Sequence, residues 1–409
     1  MIPSAILQLP SRRLAKERTI HNSTVWAPQL PQEATDWLGK ADDLCQRYFE
    51  PVAAEIDTNQ RYPEEHLPVL RDSGLCSMFV PEAFGGTHLQ LQSIVAVAER
   101  VSASCASTSA ILAALSLGAH PILLGGTDEQ KERYLRPLAT EGRAVCFALS
   151  EPGAGSDAAA IVATAEREGD GWRIRGEKCW LGNGGHSVAY VVFARINPDD
   201  PKSITAFMVD REATGVMVDR YEDKLGIRGT TTTNLKLDTW VEDAAMLGGP
   251  GEGLGLALET LTLGRVLIAA QANGIALAAL SEAAEFAVER HTFGRRIIDH
   301  QGVGFPLADS ATELSASRLM MYEAARGFDG GEDIRTLASM AKLYASEVSH
   351  RVVDRAMQIL GGRGYVKPSV VERLYRDQRI TEIYEGTSEI QRLVIARAIK
   401  KQTIEELAS

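Results

Sequence analysis

Residues 254–280 are apolar almost all the way round a helical circumference, with only Glu259 and Arg265 carrying charge among them. A soluble chain tolerates such a helix only where other helices enclose it. From about residue 251 onward the chain is therefore expected to form a bundle. Two more long helices, at about 303–328 and 334–360, supply the walls before Gly361-Gly362-Arg363-Gly364 breaks the pattern. The apolar stretch is long enough to tempt a membrane assignment. Its two charges and helical neighbours argue for a protein interior, and no membrane insertion is expected.

Upstream, residues 32–142 are helical in period, with readable punctuation: Pro63 at a helix start, Gly74 at a helix end and a turn-rich loop at 81–86. Residues 107–124 are small and apolar on nearly every face and should form a buried helix. Thr127 and Gln130 have capping-box spacing. At Ala144 the period changes. Segments 144–150, 161–167, 172–178, 188–196, 204–210, 216–220 and 231–237 are short, alternating or β-branched, and Gly169-Asp170-Gly171 reads as a hairpin connection. Strands this close together, without helices between them, make an antiparallel sheet or barrel. No GxGxxG follows a strand, so a nicotinamide dinucleotide fold has no support. The expected fold class is α+β, mostly α. An N-terminal extension (1–31) leads into an N-terminal helical domain (32–143), a small antiparallel β-barrel or sheet domain (144–250) and a C-terminal four-helix bundle (251–409).

A chain of 409 residues is long enough for several cores. Its net charge of -11, with no long basic block, argues against a nucleic-acid partner. Cys45, Cys76, Cys105, Cys146 and Cys179 are widely spaced and odd in number, which fits a reducing, cytoplasmic compartment. The mitochondrial matrix is the lesser alternative. Residues 1–24 carry Arg12, Arg13, Lys16 and Arg18 against the single acid Glu17, and read as a plain extension rather than a transit segment. No HExxH or zinc-spaced His/Cys set occurs, so no metal is expected.

The chemistry concentrates near the end. Glu385 stands on a glycine-containing turn, Tyr384-Glu385-Gly386-Thr387-Ser388, just before an apolar periodic run. Ser388 and Gln391 suggest a capping box that starts the terminal helix at Ser388. A carboxyl fixed on such an elbow beside apolar groups loses hydration, its pKa rises, and it becomes a competent general base near neutral pH. Four other stretches could surround it. Residues 147–157 run from a strand into Pro, Gly and Ser, offering backbone N–H groups and hydroxyls to a closely approaching ligand. Trp180, at a strand end, could stack on a flat cofactor. Arg290 to Gly294 with His300 and Gln301 could bind a diphosphate. Residues 358–362 permit close backbone approach.

Together and in this order, the five stretches resemble the acyl-CoA dehydrogenase family over residues 32–401. The resemblance implies FAD held between the β domain and the bundle. Phe147, Leu149, Ser150, Gly155, Ser156, Trp180, Leu181 and Gly182 would serve the isoalloxazine and ribityl chain. Arg290, Thr292, Phe293, His300 and Gln301, with Gln358, Ile359, Leu360, Gly361 and Gly362, would reach the diphosphate and adenosine of a neighbouring subunit's FAD, and Thr387 and Glu389 would complete the adenosine end. Ser156, Leu261, Thr262, Arg265, Tyr384 and Gly386 would line the substrate. The implied reaction is α,β-dehydrogenation of an acyl thioester, with Glu385 as base, an electron-transferring flavoprotein as acceptor, and a homotetramer built as a dimer of dimers.

Gly182, Thr262 and Pro368 depart from that pattern. Gly182 stands where the family usually carries Thr or Ser, and Thr262 where it often carries Asp; the latter opens an alternative, a thioester on a carrier protein. Gly264 occupies the position at which some relatives place their base, which leaves Glu385 without a rival. Pro368 stands where the family commonly has an acidic residue. Further alternatives are an oxygen-using oxidase and a non-catalytic scaffold of the same fold. Ala110, Ala113 and Ala114 are candidates to face the acyl tail.

Overall fold

The computed structural model describes residues 25–408, so the basic cluster at 12–18 lies outside the described residues. The N-terminal helices are α1 (Gln32–Leu44), α2 (Ala53–Asn59), α3 (His66–Asp72), α4 (Leu91–Ser104), α5 (Ala106–Gly125) and α6 (Asp128–Glu141). The capping box that opens α6 is present in both directions. Thr127 Oγ1 accepts from Gln130 N at 3.2 Å, and Gln130 Oε1 accepts from Thr127 N at 2.9 Å.

The β domain holds β1 (Val145–Ala148), β2 (Thr164–Glu168), β3 (Gly171–Gly182), β4 (Ala189–Arg195), β5 (Ile204–Asp210), β6 (Val216–Tyr221), β7 (Thr232–Glu242) and β8 (Met246–Leu247). Its order is β6-β7-β3-β2-β4-β5-β8, with β1 beside β4. The sheet is not wholly antiparallel as expected: β1 runs parallel to β4 from Val145↔Ala189 to Ala148↔Val192, and β2 touches β4 in parallel at Thr164↔Arg195. The chain leaves β1 through the long 149–163 segment, and without a tight turn nothing imposes an antiparallel neighbour. β4 and β5 are buried on both faces. Tyr190, Val192, Phe207 and Val209 point into the β domain core, while Val191, Phe193, Ala206 and Met208 join the core of the helical domain. This sheet is thus a wall shared by two cores, and α5 closes on it tightly: a Cβ at Gly118 would lie 1.8 Å from the Val145 carbonyl oxygen.

The C-terminal domain contains α7 (Gly253–Glu289), a two-stranded ribbon of β9 (His291–Thr292) and β10 (Arg295–Arg296), α8 (Gln301–Asp329), α9 (Arg335–Leu360), α10 (Gly362–Tyr365), α11 (Val370–Gln378) and α12 (Ser388–Ala408). α7 is packed by α4, α5, α8 and α9, as its unbroken apolar circumference demands. It extends nine residues beyond 280 because its last turns become half-polar where it leaves the interior. At about 1.5 Å per residue it is about 55 Å long. Both α5 and α7 are long and apolar enough to cross a membrane, and both are mostly covered by the rest of the protein. The Trp26 ring lies edge-on to Tyr322 of α8, and the Trp26 backbone N–H donates to Ser315 Oγ at 2.9 Å.

Candidate active site

The turn between α11 and α12 carries Glu385 at φ +54 and Gly386 at φ +87. A left-handed backbone at a residue other than glycine is strained and persists only where its surroundings hold it. Here the hold is visible. Gln391 Nε2 donates to the carbonyls of Glu385 (3.1 Å) and Gly386 (2.8 Å), and Lys342 Nζ on α9 donates to Gly386 O at 2.7 Å. The capping box expected at Ser388 is not formed. Thr387 is the cap, its Oγ1 receiving Ile390 N at 3.4 Å, because Gln391 is turned back onto the elbow carbonyls.

The carboxyl of Glu385 reaches the face of α7. A Cβ at Gly264 would stand 2.4 Å from Glu385 Oε2, so the bare glycine makes the room the acid occupies. Although Glu385 as a residue is half-buried, Oε2 is enclosed and has no hydrogen-bond partner among the described residues. Burial raises its pKa to about 7, against the opposing pull of Arg265 and Lys342. Arg265, also buried, donates to Ser339 Oγ at 3.2 Å, and its pKa is lowered by desolvation. Tyr384 donates its hydroxyl to Gln271 Oε1, and Gln271 Nε2 donates to Ala106 O at 3.2 Å. Thr262 is buried and gives its hydroxyl to Leu258 O at 3.0 Å, while Leu261 is half-buried beside it.

The second group lies in the β domain. Trp180 sits at a bulge in β3, φ +58, with 59% of its surface exposed. Behind it Lys178 is fully buried and pairs with Glu151 at 2.7 Å; Glu151 also accepts from Val162 N (2.6 Å) and Ala163 N (3.0 Å), and Lys178 donates to Leu149 O at 3.1 Å. Both ends of the 149–163 segment are thereby tied to β3. Gly155 and Ser156 are exposed at its tip and Ser150 is half-buried. Leu149 and Leu181 turn their side chains into the core and offer only backbone, and Phe147 packs half-buried on Phe193 at 4.9 Å between centroids. A Cβ at Gly182 would meet only Ala114, at 3.5 Å.

α5 measures the gap between these groups. Its Ala106 carbonyl holds Gln271, and its Ile111 carbonyl and Ala114 meet Asn183 and Gly182. Eight residues of helix separate the two ends, about 12 Å. Ala113 and Ala114 are half-buried along this stretch, whereas Ala110 packs into the core with Ile275 and Ala279.

A third group is separate. Arg290, Thr292, Phe293 and His300, with Ile359, Leu360 and Gly362, line an open cavity of about 640 Å³. Arg295 Nε donates to His300 Nδ1 at 3.2 Å, which leaves the His300 Nε2–H facing Thr292. Phe293, at the ribbon tip, is 96% exposed. Gln301, Gln358 and Gly361 are exposed nearby in sequence but do not line the cavity. Thr387 caps α12, and Glu389 is exposed in its first turn.

Sequence reasoning missed Lys342, Gln271, the Lys178–Glu151 pair, and Phe286 with Arg363, whose guanidinium lies 5.5 Å from the Phe286 ring in the cavity wall. Lys342 had a signal: it interrupts the buried stripe Ala338, Ala341, Ala345, Val348, Val352 of α9.

Three family models match in order: acyl-CoA dehydrogenase N-terminal domain at 31–142, middle domain at 146–240 and C-terminal domain at 251–400. A mitochondrial short-chain specific acyl-CoA dehydrogenase of Bos taurus is 43% identical over 378 residues, 91% of either chain. A probable acyl-CoA dehydrogenase of Mycobacterium tuberculosis is 41% identical, covering 91% of this chain and 96% of its own. Among solved structures, butyryl-CoA dehydrogenase of Megasphaera elsdenii superposes with a TM-score of 0.89 at 35% identity, over 91% of this chain and 99% of that one. A prolyl acyl carrier protein oxidase gives 0.87 at 27% identity, over 90% and 99%.

Proposed function

The chain belongs to the acyl-CoA dehydrogenase family, and from that premise we propose that it oxidises a short-chain acyl-CoA to the trans-2-enoyl thioester with Glu385 as the base. The observation that carries this reading is the enclosed carboxyl of Glu385, held against Gly264 and tuned to about pH 7. The short-chain assignment is supported by relatives named for short-chain and butyryl substrates at 35 to 43% identity.

The residues present fit FAD. Trp180 offers a largely exposed ring at a fixed bulge, Gly182 adds no side chain beside it, and the 149–163 segment presents Gly155 and Ser156 from a tethered base. FAD, when bound, supplies at N5 the acceptor for the β-hydride. Glu385 removes the α-proton, because its desolvated carboxylate is basic enough near neutrality. Its backbone N–H would donate to the thioester oxygen as charge develops there. Arg265 and Lys342 keep the carboxyl from rising further and so keep it ionised. Re-oxidation falls to an electron-transferring flavoprotein.

Anaerobic mixing with a panel of straight-chain acyl-CoA and acyl-carrier thioesters tests this directly. Short acyl-CoA esters should bleach the flavin fastest; bleaching by carrier-bound esters alone would shift the reading to the second one, which Thr262 favours because it places no carboxylate at that point of α7.

The cavity at Arg290, with the fully exposed Phe293 on its rim, supports a homotetramer in which this end serves a neighbouring subunit's FAD. Arg290→Ala should therefore lower flavin content and oligomer stability together, read by absorbance and sedimentation. A fully flavinated tetramer in that variant would refute the shared site.

A further inference from the structure

Lys342 is the charged side chain on the buried stripe of α9, with no exposed surface. An ammonium taken out of water demands compensation. One hydrogen bond, to the Gly386 carbonyl, meets part of that demand. Three carboxylates stand near enough to act on it: Glu385, Glu382 and Glu389, with Arg265 opposing them. Glu382 is already engaged by His350 Nδ1 at 2.7 Å and Arg379 at 2.6 Å, and Glu389 is exposed to solvent. Glu385 is the one whose Oε2 is enclosed without a hydrogen-bond partner among the described residues. Around it, α7 contributes Arg265, committed to Ser339, and the turn contributes Tyr384, committed to Gln271.

We propose that Lys342 is a positioning residue for Glu385: its ammonium pins the strained elbow through the Gly386 carbonyl and, as a buried counter-charge, keeps the Glu385 carboxyl ionised and ready to accept a proton. The proposal rests on Glu385 being the base. Burial pushes the Lys342 pKa down to about 8, so the cation predominates at the midpoint of the Glu385 titration.

The test uses the flavin-loaded enzyme in three variants. Lys342→Gln keeps a donor for Gly386 O without the charge, Lys342→Met removes both, and Lys342→Arg keeps the charge. The first readout is the pH dependence of single-turnover flavin bleaching; the second, without substrate, is infrared titration of the Glu385 carboxyl, its band identified with Glu385→Gln. Removing a nearby opposite charge raises a carboxyl pKa by about one unit or more. Lys342→Gln and Lys342→Met should shift the acidic limb and the band upward by about one pH unit, slowing bleaching about fivefold at pH 7 with the loss vanishing at high pH. Lys342→Arg should return both toward the parent. Unmoved limbs and bands in the neutral variants, or an equal shift in Lys342→Arg, overturn the proposal.

Should the neutral variants not fold, coupling is read from the other side, since linkage is reciprocal. Glu385→Gln should lower the ionisation midpoint of Lys342, followed by NMR of carbon-13-labelled lysine, and an unchanged midpoint overturns the proposal equally. Failure of the underlying reading looks different: Glu385→Gln would then bleach at the parent rate.

Discussion

Replacement of Glu385 by Gln should leave FAD bound and thioester affinity nearly intact while bleaching of the flavin by substrate slows by about 10²- to 10⁴-fold, the span usual for a lost general base. Glutamine has the same shape, so the contact with Gly264 is kept and the elbow need not move. What disappears is the proton acceptor. In the parent enzyme the rate should rise with pH through about 7 and then level off, because the carboxyl accepts a proton only when ionised and its pKa is raised to that value by burial. The variant should lose this limb. A parent-like rate with a parent-like pH profile would remove Glu385 from the reaction.

The second large effect is expected in the β domain, far in sequence from the elbow. Lys178→Met leaves Glu151 charged and buried with only its two backbone donors, Val162 N and Ala163 N. Stranding one member of a buried ion pair costs about 3–5 kcal/mol. Chemical denaturation should show that loss, and flavin fluorescence should report easier release, because the same lysine ties Leu149 O to β3 beside the loop that carries Gly155 and Ser156. The double variant Lys178→Met/Glu151→Gln should recover part of the stability, since a neutral amide oxygen still accepts a backbone N–H without an uncompensated charge. If Lys178→Met unfolds within about 1 kcal/mol of the parent, the pair does not hold the 149–163 segment to β3.

Local chemistry decided what could be read without coordinates. The strand segments announced themselves by alternation, and the Thr127–Gln130 box formed as spaced, because each signal lies within a few residues. Glu385 was legible for the same reason: glycine and a helix start fix its elbow from within the segment. What was not legible needed partners far along the chain. Lys342 meets Gly386 across 44 positions, and Tyr384 meets Gln271 across 113. The cap moved from Ser388 to Thr387 because Gln391 found better acceptors in the elbow than in its own helix. β1 lies parallel to β4 through a register set by the whole sheet, which alternation within one strand does not reveal.

The length of α7 has a further consequence. Gly264, under the Glu385 carboxyl, and Glu289, beside Arg290, lie on one continuous helix about 38 Å apart in helical rise. A flavin ring next to Glu385 is joined to its own diphosphate by one short sugar-alcohol chain, which falls far short of that span. On the proposed assembly, each copy of α7 therefore attends to two different dinucleotides, one at either end. Yellow colour then becomes a property of protein concentration: dilution that separates the copies should strip the pigment, and adding apoprotein should restore it with second-order kinetics.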